Sequence, residues 1–70
     1  MRVYVFKTSV EAPGDIRLAE LLLRPLLPGN SWNFDLEDCD NILRVESDDN
    51  IADMVCTSLQ RGGIHCEELP

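Results

Sequence analysis

Apolar residues recur along this chain in blocks whose period switches between two, the period of a strand, and about 3.6, the period of a helix. Val3-Tyr4-Val5-Phe6 is β-branched and aromatic, which predicts a first strand covered on both sides and therefore central. Ile16, Ala19, Leu22, Leu23, Leu26 and Leu27 follow at three-to-four spacing and predict an amphipathic helix. Trp32, Phe34 and Leu36 alternate with polar residues through Glu37, a half-buried second strand. Ile42-Leu43-Arg44-Val45-Glu46 predicts a third strand with Leu43 and Val45 inward. Ile51, Met54, Val55, Ser58 and Leu59 return to helical spacing with these residues on the apolar face. Ile64 to Leu69 then predicts a short last strand with Ile64 and Cys66 inward.

The residues between these blocks are turn formers and helix stops. Glu11-Ala12-Pro13-Gly14-Asp15 breaks the first strand, and Asp15 or Ser9 is placed to cap the helix after it. Pro25 removes a backbone donor and disfavours helix at Arg24, so that helix ends or tightens there, and Pro28-Gly29-Asn30 stops it. Asp38-Cys39-Asp40-Asn41 reads as the turn of a hairpin joining the second and third strands. Ser47-Asp48-Asp49-Asn50 reads as the start of the second helix, and Gly62-Gly63 as its end.

The resulting order is β-α-β-β-α-β over residues 1–70, one small domain. Two interlocked βαβ units with right-handed crossovers give an antiparallel four-stranded sheet in the order 4-1-3-2, with both helices on one face. The expected fold is the α+β, ferredoxin-like split sandwich.

Composition then removes several classes of function. The net charge is −7 and the pI about 4.3, which argues against nucleic acid. The charge is skewed: residues 1–30 hold four basic and three acidic groups, residues 31–70 two and ten. No apolar run is long enough to span a membrane, and the opening residues do not form a signal peptide. Three cysteines, Cys39, Cys56 and Cys66, without Cys-x-x-Cys spacing read as reduced thiols in a cytoplasmic protein rather than as a disulfide framework.

The framework Leu23-x-x-Leu26-Leu27-Pro28-Gly29-x-x-Trp32-x-Phe34-Asp35-Leu36-Glu37, with Ile42-Leu43-Arg44-Val45 and Ile51-x-x-x-Val55-x-x-x-Leu59-x-x-x-Gly63-Ile64, resembles that of heavy-metal-associated domains over about residues 3–69. The opening Val3 to Val10 is also similar to that of small bacterial proteins. In the resembled family a Met-x-Cys-x-x-Cys loop after the first strand binds Cu(I) or Zn(II) through two thiolates. Here that loop is Lys7-Thr8-Ser9-Val10-Glu11-Ala12-Pro13, and Ser9 and Ala12 fall where the cysteines belong. Neither residue supplies a thiolate. The resemblance implies the scaffold, with a degenerate metal site and no cofactor.

No catalytic set accompanies that scaffold. A single His65 without a partnered nucleophile gives no acid–base machinery. Acylphosphatases share the topology, yet Pro13-Gly14-Asp15-Ile16-Arg17 offers one glycine and one arginine beside acidic groups. Residues 35–46 match a calcium loop poorly, with Cys39 at its fifth position and Asp40 at its sixth. The expected function is therefore a non-catalytic interaction module, with a protein partner or self-association carried by the sheet face opposite the helices and by the acidic second half. Tyr4, Phe6, Ile42, Arg44, His65 and Glu67 are expected on that face. Two other readings stay open. One is soft-metal binding, for copper or zinc, by displaced ligands Cys39, Cys66 and His65, with Cys56 beside the second helix's apolar stripe. The other is a small-ligand regulatory module.

Overall fold

The computed structural model describes residues 2–27, 31–37 and 39–70. The elements are β1 (Arg2–Thr8), α1 (Pro13–Leu23), β2 (Ser31–Asp35), β3 (Ile42–Ser47), α2 (Ala52–Arg61) and β4 (Cys66–Leu69). All strand pairs are antiparallel and the sheet runs β2-β3-β1-β4, which from the opposite edge is β4-β1-β3-β2. This order matches a ferredoxin-like sheet. The expected stop at Pro28-Gly29-Asn30 and residue Asp38 of the hairpin turn lie outside the described residues.

Cross-strand partners share a sheet face, so the register fixes which side each residue occupies. Tyr4 pairs with Val45 and Phe6 with Leu43. Trp32 and Phe34 pair with the same Val45 and Leu43 from the other side. Tyr4, Phe6, Leu43 and Val45 join one core with Ala19 and Leu23 of α1 and Val55 and Leu59 of α2, and Trp32 and Phe34 pack against it. Both helices therefore cover this single face.

That arrangement corrects the expected orientation of β1. Tyr4 and Phe6 are 3% and 0% exposed and face the helices. Strand neighbours alternate sides, so Val3, Val5 and Lys7 take the other face, and Val3 is 58% exposed. β1 is central because it pairs on both edges, yet only one of its faces is covered. Leu43 and Val45 face inward as the alternation requires, and the register then leaves no choice for Tyr4 and Phe6.

Several boundaries shift for local reasons. The helix expected from Ser47 begins instead at Ala52. Ser47 is buried at the end of β3, and its Oγ accepts the Asp49 N–H at 3.1 Å, a local bond that holds a turn in place of a cap. α1 ends at Leu23, and Leu26 and Leu27 continue as a turn whose N–H groups donate to the Leu23 carbonyl at 3.0 and 2.9 Å. Pro25 has no N–H to extend the helix. Met54, expected inward, is 46% exposed. Gly63 has φ +84° and ends α2 in a conformation other residues rarely adopt. β4 starts at Cys66, which leaves Ile64 buried just outside the strand.

Candidate functional site: the helical layer and the loops at the end of β1

The loop that would hold the resembled family's metal is occupied by hydrogen bonds. Ser9 Oγ accepts the His65 N–H at 2.9 Å, and Ser9 N–H donates to the His65 carbonyl at 3.1 Å. Thr8, 5% exposed, donates through Oγ1 to the Asn41 carbonyl at 2.6 Å and accepts the Val10 N–H at 3.2 Å. Asp15 closes the start of α1 from within: its carboxylate accepts the N–H groups of Ala12 and Glu11 at 3.1 and 3.2 Å. These bonds, the one from Ala12 first, hold the Asp15 carboxyl below the ordinary carboxylate value.

The displaced-ligand set is scattered. Cys39 is exposed in the β2–β3 turn and Cys66 is buried. His65 is exposed, its Nε2 3.8 Å from a Glu67 carboxylate oxygen. Among the described residues no three His, Cys, Asp or Glu side chains gather as a metal cage would require. Cys56 and Cys66 do meet, with Sγ atoms 3.4 Å apart.

The sheet face opposite the helices is mixed in character. The register places Arg44 and Glu67 on it as expected, while Tyr4 and Phe6 are inside and His65 precedes the strand. Arg44 lies 3.5 Å from the Asp35 carboxylate, and Lys7 3.7 Å from that of Asp40. Ile42 is on this face but only 4% exposed, and it stands apart from the main core. The exposed apolar surface there centres on Val3.

More apolar surface lies on the helical layer. Leu18 and Leu21 of α1 are 38% and 67% exposed, and Met54 of α2 is 46% exposed. A groove of about 380 Å³ runs between the helices, lined by Leu22, Leu26, Asp53, Met54, Thr57, Ser58 and Arg61. A Cβ at Gly62 would stand 2.5 Å from Leu22 Cδ1, so the glycine lets the end of α2 approach α1. Leu21-Leu22-Leu23 is the sequence signal for this surface: three consecutive residues sweep about 200° around a helix and cannot all face one core. Among the described residues, no helix is long and apolar enough to cross a membrane.

No protein-family model matches the chain, and no curated protein matches it by sequence.

Proposed function

We propose that this chain is a non-catalytic protein-interaction module on a heavy-metal-associated-like scaffold, that it docks through its helical layer, and that its partner there is a second copy of the chain. The observation that carries the reading is the stripe Asp53, Thr57 and Arg61 along the groove. Residues four apart on a helix share a face. A two-fold axis through Thr57 with antiparallel α2 helices sets each Asp53 against Arg61 of the second copy. This is the self-complementarity that a two-fold interface demands. Met54 then leaves water together with Leu22 and Leu26, which line the same groove.

The net charge of −7 opposes association at long range, and salt screens that repulsion. The pair is therefore transient, with a Kd on the order of micromolar or weaker. Ser9 and Ala12 in the loop after β1 support the non-metal reading, because neither offers a soft ligand.

Sedimentation equilibrium over a concentration series tests it. Asp53→Arg and Arg61→Asp should each weaken dimerisation by about tenfold, the double exchange should restore it, and Val3→Ser on the opposite face should leave it unchanged. A chain that stays monomeric at millimolar concentration, or a double exchange no better than either single, overturns the reading.

A further inference from the structure

Cys56 and Cys66 bring two thiols into contact between α2 and β4. Cys56 lies on α2, half-buried, and Cys66 opens β4, 2% exposed on the face that α2 covers. Their sulfurs are 3.4 Å apart. A disulfide needs about 2.05 Å, so closure asks for a movement of a little over an ångström. The backbone around them is held. Gln60 Nε2 donates to the Cys66 carbonyl at 3.1 Å, and Ile64 N–H donates to the Leu59 carbonyl at 2.9 Å across the Gly62-Gly63 turn.

We propose that Cys56 and Cys66 are a redox-active dithiol, which a low-molecular-weight disulfide oxidises to an intramolecular disulfide that staples the middle of α2 to the start of β4. The half-buried Cys56 reacts first. Its thiolate attacks one sulfur of the oxidant and expels one molecule of thiol, leaving a mixed disulfide on Cys56. Cys66 then attacks the Cys56 sulfur and expels the second thiol. One S–S bond is broken and one formed, the two protein thiols are oxidised, and their protons leave with the two released thiols. The order of attack follows from the burial. Desolvation of Cys66, with the adjacent Cys56, pushes the Cys66 thiol up and disfavours its thiolate, which leaves the first attack to Cys56. Cys39 is exposed and lies in the β2–β3 turn, outside the pair.

The fold, rather than the spacing in sequence, brings the sulfurs together. Disulfide formation and folding must therefore favour each other by the same factor. The full chain carrying Cys39→Ser is equilibrated with reduced and oxidised glutathione, folded and in urea, then quenched and weighed. The folded chain should lose 2 Da, with an effective thiol concentration at least about tenfold above that of the unfolded chain. Trypsin cleaves after Arg44 and Arg61, so non-reducing digestion should return residues 45–61 linked to 62–70. Digestion of the unaltered chain should give the same linked pair, independently of the Cys39 substitution. The inference is overturned if the folded and unfolded values are equal, if a stable glutathione adduct on Cys56 leaves Cys66 free, or if the linked pair is absent.

Discussion

Replacing Phe6 by Ala tests the assignment on which every surface statement depends, namely which side of the sheet the helices cover. Phe6 is fully buried between Leu43 on β3 and the helices. Removing a buried phenyl ring costs about 3–5 kcal/mol, through lost transfer energy and the cavity left behind. A domain of 70 residues has a total stability of about 4–10 kcal/mol, so this change takes a large part of it. The midpoint of thermal unfolding should fall by more than about 10 °C. Val3, two positions from Tyr4's neighbour Val5 and 58% exposed, should tolerate Thr within about 0.5 kcal/mol. Tyr4→Phe gives an intermediate value. It removes the hydroxyl that donates to the Asp49 carbonyl at 3.0 Å, at about 1 kcal/mol. Urea unfolding followed by far-ultraviolet circular dichroism and by Trp32 fluorescence reads all three. A one-residue change of parity exchanges the two faces completely. The reasoning is refuted if Phe6→Ala is near neutral, or if Val3→Thr costs as much as Phe6→Ala.

Two further substitutions probe the loops at the end of β1. Thr8→Val keeps shape but removes the bonds to the Asn41 carbonyl and the Val10 N–H. It should cost about 1–3 kcal/mol by urea titration, and a cost below about 0.5 kcal/mol would show that those backbone groups find other partners. Asp15→Ala should lower the thermal midpoint at neutral pH and lose that effect in acid. The Asp15 carboxyl titrates below its ordinary value of 3.8 in the folded chain. Its contribution is therefore complete above that value and disappears as pH falls through the lower, folded one. The difference between the two melting curves should shrink as pH falls below 3.8, and a difference that stays constant from pH 7 into acid would refute the assignment.

Legibility of the sequence varied from residue to residue for physical reasons. Leu43, Val45, Val55 and Leu59 were readable as core because their spacing repeats the period of their own element. Tyr4 and Phe6 were not, because Val3-Tyr4-Val5-Phe6 is apolar at every position. Alternation carries no information where nothing alternates. Only pairing with Val45 and Leu43 assigned the face. Ser47 is a strong cap former by type, yet burial and its bond to Asp49 N–H made it the end of a strand. The groove on the helical layer was half visible in Leu21-Leu22-Leu23, and Asp53, Thr57 and Arg61 align by their four-residue spacing alone, while their place along a groove needed the packing of α1 against α2.

By itself the sequence determined the order of strands and helices, the acidic balance and the absence of thiolates at positions 9 and 12. Those properties are local or additive along the chain. Tertiary structure decided the side of the sheet on which Phe6 lies, the meeting of Cys56 with Cys66 at 3.4 Å and the tie between Ser9 and His65. Each of these depends on residues brought together by the crossing of one element over another, a relation that no local spacing contains.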